Sequence, residues 1–156
     1  LLHRKKVVNS EGPLYESQIK QSDVESVKEI ERWTLESNLG RKYASVSGDY
    51  NPIHLTAASA YLFGFTKGAI IHGMWTKARA LATLMPPIET LKHSSSGGSL
   101  AAVNVEFKTP LFIPSTASLC SVSSLSNTGR DVRVFEVKGT EGECLPYMRG
   151  TCSWTA

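Results

Sequence analysis

The spacing of hydrophobic residues changes character three times along this chain. From Glu29 to Ser37 it alternates: Glu31, Trp33 and Leu35 share one face, while Ile30, Arg32 and Thr34 share the other. That period of two predicts a half-exposed strand, although Val24, Val27 and Glu31 also fit the start of a helix. The middle third reads as helical. Thr56 is placed to cap a short helix, Ala57–Phe63, that Gly64 ends. A longer helix is predicted from His72 to Met85, rich in Ala, Leu, Met, Lys and Arg and stopped by Pro86-Pro87. Met74, Ala78, Leu81 and Met85 recur at helical steps, and Trp75, Ala80, Ala82 and Leu84 add further apolar positions. A helix so apolar around its circumference is expected to be wrapped by the fold. The last third alternates again in four segments: Leu100–Lys108, Thr116–Leu125, Asp131–Lys138 and Leu145–Trp154. Asn127-Thr128-Gly129-Arg130 and the Gly139–Glu143 stretch separate them in the manner of hairpin turns. The expected fold class is therefore α+β, an antiparallel sheet curled around a central helix that fills its concave face.

Composition narrows the picture. At 156 residues with 41% apolar side chains, the chain is about one domain long and has enough apolar surface for a core. Residues 1–28 are polar and are read as an N-terminal arm or edge strand, with residues 29–156 as the folded domain. Lys92–Ser99 has the composition of a flexible loop. The net charge of +3 is mild and its basic residues are scattered, which counts against a nucleic-acid partner. No apolar run approaches the roughly 20 residues of a membrane span, and Leu1-Leu2 is too short for a secretory core. The expected location is cytoplasmic or organellar, mitochondrial included, rather than secreted. Cys120, Cys144 and Cys152 form no CxxC motif and read as buried, reduced thiols rather than a disulfide framework or zinc cluster.

The densest chemistry lies in Tyr43-Ala44-Ser45-Val46-Ser47-Gly48-Asp49-Tyr50-Asn51-Pro52-Ile53-His54. Gly48 and Asn51-Pro52 mark tight turns, so the whole segment is read as a loop. Those turns can fold Asp49 and His54 toward one point, where a carboxylate and an imidazole hold a single water and divide general acid–base work. The competing reading is a turn aspartate beside a structural histidine. Asn51 either orients a polar substrate group or caps its own turn. A metal would require Asp49, His54 and His72 to converge, which the spacing does not favour; no metal and no cofactor is expected. The second signal is Gly68–Met74, running into the long helix. Gly73 either offers an unhindered N–H to an oxyanion at the helix N-terminus or simply lets the helix pack closely.

Taken together, Ser47-Gly48-Asp49-Tyr50-Asn51-Pro52-Ile53-His54 and, 18 residues after His54, His72-Gly73 resemble the MaoC-like (R)-specific enoyl-CoA hydratases and dehydratases. Val105–Pro114 is similar to that family's strand after the central helix. The likeness covers Trp33–Pro114, is loose beyond it and is weak over the first 28 residues. It implies a hot-dog fold, with the long helix as the sausage and the antiparallel sheet as the bun. It also implies a hydro-lyase that adds water across the 2,3 double bond of a trans-2-enoyl thioester of CoA or acyl carrier protein, giving a (3R)-hydroxyacyl thioester in fatty acid metabolism. By this resemblance Asp49 and His54 hold the water, Asn51 belongs to the same loop, and the N–H of Gly73 faces the thioester carbonyl. Tyr61, Phe63, Phe65, His72, Trp75 and Leu81 are expected near the acyl chain, with ordinary core packing as the alternative. Lys67, Lys77, Arg79, Lys108 and Arg130 are candidates to meet the carrier's phosphates or acidic surface, or are solvated charge. Two other activities compete: a hot-dog thioesterase, or a non-catalytic acyl-thioester-binding subunit. The first needs a carboxylate on the central helix, and residues 72–85 contain none. A homodimer is expected, or one half of a double hot-dog assembly.

Overall fold

The computed structural model describes residues 28–85, 100–122, 130–140 and 145–155. The N-terminal segment through residue 27, the loop 92–99 and Cys144 lie outside the described residues. The elements run β1 (Lys28–Leu35), α1 (Leu39–Ser47), a 3-10 turn (Pro52–His54), α2 (Ala57–Leu62), β2 (Ala69–Ile70) and α3 (Gly73–Leu84). Then follow β3 (Leu100–Phe107), β4 (Phe112–Ile113), β5 (Ser115–Val122), β6 (Arg130–Gly139) and β7 (Pro146–Thr155). Among the described residues five strands form one antiparallel sheet in the order β1-β5-β6-β7-β3, and β2 pairs with β4 in a small second sheet. The β5-β6-β7 meander is the one the glycine turns predict. The strand before it is placed differently: β3 crosses to the far edge and pairs with β7, Val105 opposite Gly150.

Alternation in β1 does what it predicts. Trp33 and Leu35 point into the core while Arg32 and Thr34 face out. They meet Ala117 and Leu119 of β5, Phe135 and Val137 of β6, and Met148, Cys152 and Trp154 of β7. Thr56 caps α2 through a reciprocal pair with Ser59. Helix α3 packs against this sheet as expected, with one face rather than most of its circumference buried. Its buried side is Thr76, Ala80 and Leu84, whereas Met74, Ala78 and Met85 are exposed. One sheet covers one face of a helix, and a threonine inside the buried stripe had disguised which face that was. The helix is fastened at its side by Glu31 of β1, whose carboxylate accepts hydrogen bonds from Thr83 and Arg79. Among the described residues no helix is long and apolar enough to cross a membrane.

The chain from Tyr43 to His54 is not one loop. Tyr43–Ser47 forms the second half of α1, which ends where Gly48 takes φ 76° and donates its N–H to Ala44 O at 2.9 Å. Cys120 and Cys152 are buried free thiols. Burial pushes the Cys152 thiol up to about 12, only partly offset by Arg133, so this group is inert as a nucleophile near neutral pH.

Candidate active site

The site is assembled from the bend after α1, the 3-10 turn and the N-terminal end of α3. Asn51 accepts a hydrogen bond from Ile53 N at 3.3 Å and so caps the 3-10 turn, with Pro52 in its first position. Asn51 thus caps its own turn. Asp49 sits one turn earlier: its N–H donates to Ser47 Oγ and its Oδ1 accepts from Asn51 N, both at 3.2 Å. These short-range bonds hold the bend that carries the carboxylate. His54 emerges from the end of the turn and is 9% exposed. Its Nδ1 donates to Ile70 O at 2.8 Å. A carbonyl can only accept, so Nδ1 holds the proton and the neutral ring keeps a lone pair on Nε2. Burial pushes the His54 imidazole below the usual histidine range. His72 adds to the effect, while the Ile70 carbonyl and Asp49 oppose it.

His72 is 2% exposed, and its ring stacks on that of His54 with centroids 3.9 Å apart. Its Nε2 donates to the main-chain carbonyl of Asp49 at 2.9 Å and lies 3.9 Å from Asp49 Oδ2. Nitrogen and carboxylate atoms of Asp49, His54 and His72 therefore come within 4.8 Å of one another. The convergence that the spacing did not favour is real.

A cleft of about 400 Å³ opens beside this cluster. His54, Gly73 and Thr76 line it together with Phe107, Lys108, Leu111, Tyr147 and Met148. Gly73 opens α3, where the first turn leaves N–H groups without intrahelical partners and the helix dipole adds positive potential. The same residue also meets the packing requirement: a Cβ there would come 2.9 Å from the Phe107 ring. His54 and Gly73, the first residue of α3, thus both line the cleft, and a carboxylate oxygen of Asp49 lies within 4.8 Å of a His54 ring nitrogen.

The aromatic residues expected around an acyl chain lie elsewhere. Tyr61 and Phe63 are exposed at 64% and 59%. Phe65 packs against Phe112, Trp75 lies edge-on to Trp33, and Leu81 packs against the core. His72 is behind His54 rather than in the cleft. The lining residues that sequence reasoning passed over include Thr76, Phe107, Leu111, Tyr147 and Met148. Thr76 had a signal, since it lies three residues after Gly73 and hence on the same helix face. Of the candidate basic residues, Lys108 lines the cleft and pairs with Glu106 at 2.6 Å, whereas Arg79 is engaged by Glu31.

An antiparallel sheet laid over one long helix is the hot-dog fold. The MaoC-like domain model matches residues 19–143, and the chain belongs to the MaoC-like dehydratase family. It is 39% identical over 80 residues to 3-hydroxyacyl-thioester dehydratase X of Mycobacterium tuberculosis, a match covering 51% of this chain and 25% of that protein. The matched segment thus spans about a quarter of that relative's length. Among solved structures, the ChsH1–ChsH2 complex from M. tuberculosis superposes with a TM-score of 0.66 at 11% identity, covering 83% of this chain and 94% of that one. The R-hydratase PhaJ1 from Pseudomonas aeruginosa, in its unliganded form, gives 0.64 at 23% identity, covering 83% and 79%. These two likenesses concern the fold.

Proposed function

We propose that this protein adds water reversibly across the 2,3 double bond of a trans-2-enoyl thioester of CoA or acyl carrier protein, forming a (3R)-hydroxyacyl thioester in fatty acid metabolism. The observation that carries the reading is that the Asp49 carboxylate and the His54 imidazole lie within 4.8 Å of each other, while His54 shares a cleft with the amide end of α3. Two hydrogen bonds of about 2.8 Å meeting at a tetrahedral water span about 4.6 Å, so a separation within 4.8 Å is compatible with one water held between the carboxylate and the imidazole. Asp49 accepts one hydrogen of that water and fixes its orientation. Neutral His54 takes the other through Nε2 as the oxygen bonds to C3, and the imidazolium returns that proton to C2. One water then supplies both new substituents on the same face of the double bond. As C3 is attacked, negative charge moves onto the thioester oxygen, where the N–H of Gly73 and the helix dipole stabilise it. The acyl portion lies between Phe107, Leu111 and Met148, and Lys108 stands at hand for the anionic carrier.

The competing thioesterase reading lacks its reagent: α3 contains neither Asp nor Glu. Incubation with crotonyl-CoA separates the activities. Loss of enoyl absorbance supports hydration, release of free thiol indicates hydrolysis, and neither signal overturns the proposal. In the same assay the acid limb of kcat/KM is expected below 6.5, the ordinary histidine value, because His54 stays neutral to lower pH. A limb above that value contradicts His54 as the base. The linkage has the same sign. A histidine whose folded value is lowered favours unfolding as pH falls from the ordinary histidine range through the folded value.

We also propose that the domain works paired with a second hot-dog unit, a second copy of this chain in the first instance. Among the described residues strands β1 and β3 are the edges of the sheet, and Met74, Met85 and Phe107 are exposed. Light scattering is expected to give twice the chain mass; a stable monomer at micromolar concentration counts against pairing.

A further inference from the structure

The two halves of the proposed site come from different parts of the chain, and one buried side chain joins them. His72 immediately precedes Gly73, so it stands at the N-terminus of α3 beside the proposed oxyanion donor. Its ring reaches back to the bend between α1 and the 3-10 turn. There Nε2 donates to Asp49 O at 2.9 Å, one ring face stacks on His54 at 3.9 Å, and Tyr43 of α1 packs edge-on with centroids 4.9 Å apart. The remaining nitrogen, Nδ1, is buried with no hydrogen-bond partner among the described residues. If filling space were the only requirement, a hydrocarbon ring would meet it without desolvating an idle acceptor. The imidazole is explained by its N–H, which is the group that Asp49 uses.

We propose that His72 is a positioning residue: its Nε2–H holds the main chain of Asp49 in register with the amide end of α3, and so sets the carboxylate against His54. This inference rests on the hydration reading and adds to it the element that fixes the geometry. Asp49 is half exposed, and otherwise it is held by the short-range bonds of its own bend. The bond from His72 crosses 23 residues of sequence and ties that bend to the helix presenting Gly73. Displacements of about 1 Å in a reacting geometry cost up to 100-fold in rate, so such a tether acts on turnover rather than on substrate affinity.

Two substitutions in the full chain divide the possible roles. His72→Gln places an amide N–H within reach of Asp49 O but loses the ring. His72→Phe keeps the ring and loses the donor. For a tether, His72→Phe lowers kcat on crotonyl-CoA by about tenfold or more with KM within about twofold, and His72→Gln recovers most of that loss. For a packing role the order reverses. Amide hydrogen exchange of the Asp49–His54 segment reads the same tether without reference to activity. It is expected to accelerate in His72→Phe and to stay near wild type in His72→Gln. The reverse order, equal effects or no effect in either variant overturns the proposal. If the wild type fails to hydrate crotonyl-CoA, the functional reading falls while the exchange comparison still decides the tether. If the phenylalanine variant does not fold, His72→Leu, which also lacks the donor, takes its place in the comparison.

Discussion

Asp49→Asn is expected to reduce kcat for enoyl-thioester hydration by about 100- to 10,000-fold while leaving the fold unchanged. The side-chain oxygen of asparagine still accepts from Asn51 N, so the Asx turn at 49–51 survives, and the side chain is half exposed, so no core contact is lost. What disappears is a charged acceptor beside His54. His54→Asn makes the complementary cut. Its amide nitrogen falls near the place of Nδ1 and keeps the bond to Ile70 O, but nothing replaces the Nε2 lone pair. Its loss of rate should be of the same order, equivalent to about 3–5 kcal/mol of barrier. Because the two groups share one water, the double variant should be little worse than either single one. Steady-state kinetics with circular dichroism on each variant checks this. Turnover near wild type in a folded double variant excludes the mechanism.

The same site shows which features a sequence can reveal. Trp33 and Leu35 were legible because period two in a strand maps directly onto core and solvent. Gly48, Asn51-Pro52 and His54 were legible because turn residues leave a local signature, and that signature folded Asp49 toward His54 as expected. Helix α1 was not legible. Tyr43, Ser45, Val46 and Ser47 are weak helix formers, and the helix buries only Gly40 and Ala44, so tertiary packing decides its state. The cleft was hidden for a different reason. Phe107 ends β3 and Tyr147 and Met148 begin β7, strands that become neighbours only through the crossover. No spacing in the chain announces that pairing. Tyr61 and Phe63 illustrate the converse: aromatic residues close behind the motif suggested a pocket, and the direction of α2 turns them to solvent.

Gly40→Ala should be among the most damaging single-methyl changes in the protein, although it lies in a helix where alanine is intrinsically favoured by about 1 kcal/mol. Gly40 is buried in the first turn of α1, directly against the 3-10 turn. A Cβ built there falls 1.9 Å from His54 O and 3.0 Å from His54 C. Both are main-chain atoms, so no rotamer change relieves the overlap: either α1 or the turn must move by more than an ångström. Overpacking of this kind costs about 1–3 kcal/mol and more when backbone is displaced, which outweighs the gain in helix propensity. A net loss of about 2 kcal/mol lowers Tm by about 4–8 °C in a domain of this size. The kinetic effect should exceed what stability alone implies. Moving the His54 carbonyl carries the ring away from Ile70 O and out of line with Asp49, and a shift of about 1 Å is worth up to 100-fold in rate. Thermal unfolding and kcat measured well below Tm separate the two effects. A Gly40→Ala protein as stable and as active as wild type would show that α1 does not bear on the His54 backbone as described. A protein that loses stability but keeps full kcat would show that the imidazole's placement is independent of this helix.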